Sequence, residues 1–74
     1  MTGYEILARE TQSWGQERNL FVVSPEEMQT LIGDGANITV KNQDNGDGTF
    51  LNSVTFQGKT FTSSSREKML GGVQ

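Results

Sequence analysis

Apolar and polar residues alternate along the second half of the chain, between residues 37 and 62. Turn-forming residues interrupt the alternation twice, in the run Asp-Asn-Gly-Asp-Gly at residues 44 to 48 and at Gln57-Gly58. Alternation with a period of two is typical of strands that bury one face, and such interruptions separate strands. The pattern predicts three strands, at about residues 37 to 42, 49 to 56 and 59 to 62, joined as an antiparallel β-meander.

The turn at Gln57-Gly58 also predicts a register for the second hairpin. A two-residue turn pairs Phe56 with Lys59, and therefore Val54 with Phe61. Val54, Phe56 and Phe61 then share one face, and a slip of one residue would turn Val54 and Phe56 towards water. The same apolar face is completed by Phe50, Ile38 and Val40.

The run Leu20-Phe21-Val22-Val23 is short, unbroken and apolar. Because it is rich in β-branched residues and shows no alternation between apolar and polar positions, it predicts a further strand that is covered on both faces.

A helix start follows that run at Ser24-Pro25-Glu26-Glu27. Serine suits the N-cap, proline suits the first helical position, and the glutamates face the positive end of the helix dipole. The buried stripe would contain Met28, Leu31 and Ile32, and Gly33 would end the helix. We expect this helix at about residues 25 to 32.

Residues 3 to 14 fit two patterns. Thr2 and Glu5 have the spacing of a capping box, and apolar positions recur on one helical face. The segment Tyr4 to Ala8 also alternates as a strand does. We predict a helix here, ended by Gly15, with the strand as the alternative.

From Ser63 onwards the chain is polar and serine-rich, with Met69 and Leu70 as its only large apolar residues before Gly71-Gly72. A helix of a single turn is unstable without packing. We therefore predict one α+β domain at residues 1 to 62 and a flexible C-terminal tail at residues 63 to 74. Ordering of this tail on a partner stays open.

These elements together predict an α+β fold, in which a small antiparallel β-meander of three to five strands packs against one or two short helices. A chain of 74 residues forms one domain with a small core, which leaves little room to enclose a substrate.

Cysteine and histidine are both absent. Their absence excludes disulfides and thiolate metal sites, and it removes the commonest general base near neutral pH. No catalytic, metal or cofactor motif is recognisable, and no family is recognised from the motifs. We expect no enzymatic activity, no metal and no cofactor.

The acidic run at residues 44 to 48 superficially resembles a calcium loop. If Gly48 is the loop glycine, Gln43 occupies the first ligand position and Val54 the last, where a bidentate glutamate is needed. The register fails, and we interpret the run as a hairpin turn.

The formal net charge is −3, and no basic stripe is present, which argues against direct nucleic-acid binding. No apolar run approaches the roughly 18 residues of a membrane span. The N-terminal residues lack the basic flank and apolar stretch of a secretory signal. We expect no membrane association and a cytoplasmic location.

The leading hypothesis, reached largely by elimination, is a small non-catalytic binding or regulatory protein that docks on a larger host or cognate protein. Its size, acidity and missing chemistry fit a phage-type inhibitor of a host nucleic-acid-processing enzyme, such as RNA polymerase or a nuclease. One alternative is a structural or assembly subunit that self-associates through sheet edges. Another is a small nucleic-acid-binding sheet with Phe50, Phe56 and Phe61 as stacking platforms.

Candidate partner-binding residues come from three features. Trp14 is either an exposed anchor for a partner or, as we favour, a lid over the sheet. Carboxylates between residues 26 and 47 could form one patch that speeds association with a basic surface, or a solvated face. The predicted C-terminal tail contributes the remaining candidate residues. The candidates are Trp14, Glu26, Glu27, Asp34, Asp44, Asp47, Arg66, Lys68, Met69 and Leu70.

Overall fold

The computed structural model describes residues 1–35 and 38–70. The start of the strand predicted at residue 37 and the last four residues of the predicted tail lie outside this part. The described elements are α1 (Gly3–Trp14), β1 (Leu20–Val22), α2 (Pro25–Asp34), β2 (Lys41–Asp44), β3 (Phe50–Phe56) and β4 (Lys59–Ser65).

The strands form one sheet in the order β1-β4-β3-β2. β2 pairs with β3 and β3 with β4 in antiparallel fashion, whereas β1 runs parallel to β4. The α+β class is confirmed, but the sheet is mixed and not a purely antiparallel meander. Parallel strands need a long crossover, and the chain from α2 to β3 supplies it between β1 and β4.

β1 is an edge strand with one buried face. Phe21 is 1% exposed, whereas Leu20 and Val22 are 54% and 73% exposed. The prediction that this run is covered on both faces is therefore wrong, because its apolar character does not reflect burial of every side chain.

Helix α1 begins with the predicted capping box. The Thr2 hydroxyl accepts a hydrogen bond from the Glu5 N–H at 3.1 Å, and the Glu5 carboxylate accepts one from the Thr2 N–H at 2.7 Å. At the other end, the Gly15 N–H donates to the Thr11 carbonyl, and Gly15 has a φ of 98°. The helical prediction for residues 3 to 14 is confirmed.

Helix α2 begins with the same device, formed by Ser24 and Glu27 around Pro25. It continues to Asp34, and Gly35 caps it in place of the predicted Gly33. The helix is thus confirmed, with a later end than the sequence indicated.

The hairpin between β3 and β4 has the predicted register, with Val54 opposite Phe61 and Phe56 opposite Lys59. Its turn residues Gln57 and Gly58 have φ values of 51° and 78°, as a tight hairpin turn requires. β4 continues to Ser65, so the predicted boundary between domain and tail at residue 62 falls inside a strand.

The core lies between the helices and one face of the sheet. α1 packs against α2, and α2 packs against β4. Ile38 and Val40 are partly buried against this core, although they precede β2. The buried apolar residues are Ile6, Phe21, Val23, Met28, Leu31, Ile32, Val54, Phe56, Phe61 and Met69.

Candidate protein-interaction surface

Trp14, the last residue of α1, is 58% exposed. It does not cover the sheet, so the interpretation of Trp14 as a lid is wrong. The guanidinium carbon of Arg18 lies 4.6 Å from the centre of the Trp14 ring. A cation over an aromatic face is attracted by the ring quadrupole, which gives this exposed indole a defined neighbour.

The loop at residues 15 to 19 is held in place by Lys59. Its ammonium group donates to the carbonyls of Gln16 and Arg18, and to the side-chain oxygen of Asn19 at 3.1 Å. The Thr60 N–H also donates to the Asn19 carbonyl at 2.8 Å. Through these bonds, the loop that carries Arg18 is anchored to β4.

Arg18 connects Trp14 to the edge of the sheet. Its Nε donates to the Leu20 carbonyl at 2.8 Å, while the guanidinium stacks on Trp14. Leu20 and Val22 follow, both exposed on the outer side of β1. We call these four residues, Trp14, Arg18, Leu20 and Val22, the Trp14 surface.

The peptide groups of β1 alternate between its two sides. The Asn19 carbonyl and the Val23 N–H bond to β4. In a parallel pair the residues that bond to the neighbouring strand alternate with those that do not. The N–H and carbonyl of Val22 therefore point away from β4, next to the exposed Val22 side chain, and form a free strand edge in the described part of the chain.

The side chains of Leu20 and Val22 lie on the outer face of the sheet, opposite the helices. Leu20 pairs with Thr60 and Val22 with Thr62, whereas the buried Phe21 pairs with the buried Phe61. The rest of that outer face on β3 and β4 is mostly polar, with Ser53 and Thr55 opposite Thr62 and Thr60, and with the half-buried Leu51 opposite Ser64. The large exposed apolar side chains of this face, as far as it is described, are thus concentrated at β1.

The carboxylates of the predicted acidic patch lie at several separate positions in the fold. Glu27 forms an ion pair with Arg9, whose Nη2 donates to Glu27 Oε1 at 3.1 Å and whose Nη1 bonds the other oxygen. This pairing lowers the pKa of Glu27, because it favours the charged carboxylate. Glu26 is exposed in the same first turn of α2.

Asp34 lies at the other end of α2, about 10 Å or more from Glu26 at a rise of about 1.5 Å per residue. Its Oδ2 accepts a hydrogen bond from the Gly3 N–H at 2.6 Å. Asp34 therefore satisfies an N–H at the start of α1 and ties the ends of the two helices together.

Asp44 and Asp47 stabilise the turn between β2 and β3. Asp44 accepts from the Gly46 N–H at 2.8 Å, and Asp47 accepts from the Thr49 N–H at 3.0 Å. Hydrogen bonds from Thr49 lower the pKa of Asp47. The run is the hairpin turn that the sequence predicted, and its two carboxylates accept hydrogen bonds from backbone N–H groups of that turn. Within residues 1–35 and 38–70, no three His, Cys, Asp or Glu residues come together as a metal site.

The candidate partner-binding residues in the segment that follows β4 lie partly on the surface and partly in the core. Arg66, Lys68 and Leu70 are exposed, and the Lys68 ammonium lies 5.4 Å from the centre of the Phe50 ring. Met69 is only 7% exposed, so its side chain belongs to the core and not to the outer surface.

The phenylalanines proposed as stacking platforms are not free for that role. Phe56 and Phe61 are 3% and 0% exposed, and Phe50 is half-buried beneath Lys68. Base stacking needs an accessible aromatic face, which these side chains do not offer in this fold.

The sequence reasoning selected Trp14 but missed its three companions in the Trp14 surface. A signal for Leu20 and Val22 was present: in the run from Leu20 to Val23, every second residue can face outwards once the run is placed at a sheet edge. The role of Lys59 had no such signal, because its partners lie some 40 residues away in the chain.

No protein-family profile, curated protein or solved structure matches the chain. In its described part, no helix is long and apolar enough to cross a membrane.

Proposed function

We propose that this protein is a small non-catalytic binding protein that docks on a larger protein through the Trp14 surface. The observation that carries the proposal is an exposed tryptophan, stacked with an arginine, beside the exposed apolar edge strand β1. Tryptophan and arginine are enriched among the residues that dominate binding energy at interfaces.

The way the surface is held supports this role. Lys59 bonds three groups of the loop that carries Arg18, and Arg18 itself bonds the Leu20 carbonyl. Residues that are ordered before binding lose less conformational entropy when a partner arrives. Trp14 can therefore contribute its buried area to affinity with a small ordering penalty.

The edge of β1 suggests how the partner is engaged. An extended segment can add to a sheet edge by backbone hydrogen bonds, while side-chain pockets provide specificity. The outward peptide groups of Val22 would supply the backbone bonds, and Trp14 with Leu20 would supply the apolar contacts.

The class of partner that we propose is a cytoplasmic host enzyme that handles nucleic acid, inhibited by a phage-type regulator. A net charge of −3 favours approach to a basic surface. Because the acidic residues are distributed over both ends of α2 and the β2–β3 turn, they would contribute a long-range electrostatic attraction and not one local contact. The exposed tail residues Arg66, Lys68 and Leu70 would form a second, peripheral contact.

Affinity capture from host lysate followed by mass spectrometry tests the proposal. The wild-type chain should recover one stoichiometric partner, and Trp14→Ala should weaken that complex about 30-fold or more, as hot-spot truncations do. Tyr4→Leu is the matched control, since it also removes an exposed aromatic ring (55% exposed), but at the opposite end of α1 from Trp14. Failure to recover any stoichiometric partner, or equal binding by Trp14→Ala, would contradict the proposal.

A structural or assembly role is the second candidate, because the same free edge of β1 could pair with β1 of another copy. Sedimentation at micromolar concentration separates the two. A stable oligomer that Val22→Lys converts to monomer supports self-assembly, whereas a monomeric wild-type chain supports docking on a different protein.

A further inference from the structure

A cleft of about 250 Å³ lies where the start of α1, the end of α2 and the β3–β4 turn meet. It is separate from the Trp14 surface, which begins at the opposite end of α1. The side chains that define its chemistry are Tyr4, Asp34, Thr55, Phe56 and Gln57.

One wall of the cleft is aromatic. The ring of Tyr4 meets that of Phe56 edge to face, with 5.1 Å between their centres and an angle of 65°. Phe56 is buried, whereas Tyr4 is 55% exposed. Gln57 donates a long hydrogen bond of 3.4 Å to the Tyr4 hydroxyl. Tyr4 is thus supported by neighbours on one side and accessible on another.

The cleft also carries an anionic group without a cationic partner. Asp34 Oδ2 accepts from the Gly3 N–H at 2.6 Å, but a carboxylate has about four acceptor positions on its two oxygens. In the part of the chain that is described, the ion pairs are those of Arg9 with Glu10 and Glu27. Among the described residues that line the cleft, none is a lysine or an arginine.

We propose that this cleft binds the guanidinium group of an arginine side chain. A guanidinium is planar, stacks on an aromatic face and donates several hydrogen bonds to a carboxylate. Tyr4 supplies the face, Asp34 supplies the charge, and the oxygens of Thr55 and Gln57 are further acceptors. A phosphate or carboxylate ligand would be repelled by Asp34, and an apolar ligand would leave these polar groups without partners.

The ligand assignment does not depend on the proposed docking function, since it concerns other residues and needs no partner protein. The test uses the full chain, labelled with ¹⁵N, and the blocked peptide acetyl-Gly-Arg-Gly-amide. The same peptide with citrulline in place of arginine is the control ligand, because citrulline keeps the shape and removes the charge. Binding of the arginine peptide in the millimolar range should shift the amide signals of Thr55, Phe56 and Gln57.

Two variants test the named residues. Asp34→Asn keeps an oxygen that can accept from the Gly3 N–H but removes the charge, and it should weaken binding about fivefold or more. Tyr4→Leu should weaken it similarly by removing the aromatic face. Asp47→Asn, an exposed carboxylate that bonds Thr49 in a distant turn, should bind as the wild-type chain does.

Equal shifts with the citrulline peptide, or shifts that do not fall around the cleft, would overturn the proposal. Unchanged affinity in both Asp34→Asn and Tyr4→Leu would overturn it too. If Asp34→Asn does not fold, Tyr4→Leu and the comparison of the two peptides on the wild-type chain still decide the question.

Discussion

Asn52 and Met69 are joined by a hydrogen bond, in which the Asn52 Oδ1 accepts from the Met69 N–H at 3.2 Å. The same oxygen accepts from Asn42 at 2.6 Å, while Asn52 Nδ2 donates to the Ser63 carbonyl and to the Ser65 hydroxyl. Asn52 is 0% exposed. One buried amide therefore connects β2, β3, β4 and the segment that returns after β4.

Replacing Asn52 with alanine should lower the free energy of unfolding by about 2–3 kcal/mol, because it leaves several buried polar groups without partners. Urea denaturation followed by circular dichroism measures this change. Hydrogen exchange at the Met69 amide should also become faster, since that N–H loses its acceptor.

The matched control for this change is Asn45→Ala. Asn45 also uses its side-chain amide, donating to the Thr49 hydroxyl, but in an exposed turn. We expect a loss of no more than about 0.5 kcal/mol. Similar losses in Asn45→Ala and Asn52→Ala would mean that burial of the Asn52 network has no special effect on stability.

The side chain of Met69 supports a second prediction, which concerns the C-terminal segment. Met69→Ala should lower the free energy of unfolding by about 2 kcal/mol, near the lower end of the range for core methionines, because the Met69 side chain is buried but keeps 7% exposure. Thermal or urea unfolding measures the loss, and Leu70→Ala, at an exposed neighbour, should be close to neutral.

These two variants also test the division of the chain. If Met69→Ala and Leu70→Ala are both neutral, residues after β4 behave as the dispensable tail that the sequence predicted. If only Met69→Ala is destabilising, the folded domain extends at least to Met69.

Local patterns allowed much of the fold to be predicted. The β3–β4 hairpin followed from two turn residues and the spacing of Val54, Phe56 and Phe61, all within a few positions of one another. The capping boxes of α1 and α2 each depend on residues three positions apart. Such signals are readable because the interacting groups are neighbours in the chain.

Contacts between distant segments could not be predicted in this way. Alternation shows that a strand exists, but it does not show that β1 pairs in parallel with β4. Met69 is buried, and its N–H donates to Asn52, which is 17 residues away in the chain. The exposure of Trp14 depends on where α1 ends relative to the sheet. The residue type alone, a tryptophan in a chain with a small core, favoured burial.

The turn at Gln57 provides a third prediction, which concerns backbone strain. Gln57 is the non-glycine residue with a positive φ, 51°, in the described chain. Asparagine adopts this conformation more readily and is preferred before glycine in such turns. Gln57→Asn should therefore raise the free energy of unfolding by about 0.5–1 kcal/mol, part of the cost of a non-glycine residue in the left-handed region, as measured by urea denaturation.

The opposite change at the same position is the control. Gln57→Val places a β-branched side chain at a positive φ, which is sterically unfavourable, and it should be destabilising. Equal stability of the two variants would show that the turn relaxes to another conformation when Gln57 is replaced.

The ion pair between Arg9 and Glu27 provides a prediction about pH. Arg9 lowers the pKa of Glu27 in the folded chain, whereas the unfolded chain keeps a value of about 4.3. The resulting stabilisation is present above the unfolded pKa and is lost as the pH falls through the folded pKa. Because the Arg9 side chain is 40% exposed, solvent screens the pair, and we expect a contribution of about 0.5–1 kcal/mol near pH 7.

Glu27→Gln tests this contribution without removing the cap, since glutamine also serves in a capping box with Ser24. The variant should be about 0.5–1 kcal/mol less stable than the wild-type chain near pH 7, and the difference should shrink as the pH falls below about 4. Added salt should shrink it as well, because the pair is partly exposed.

Glu26→Gln, at an exposed neighbour in the same helical turn, should keep the pH profile of the wild-type chain. If Glu27→Gln and the wild-type chain lose stability in parallel on acidification, Glu27 does not carry the effect, and the acid sensitivity belongs to other carboxylates with lowered pKa values, such as Glu5 and Asp47.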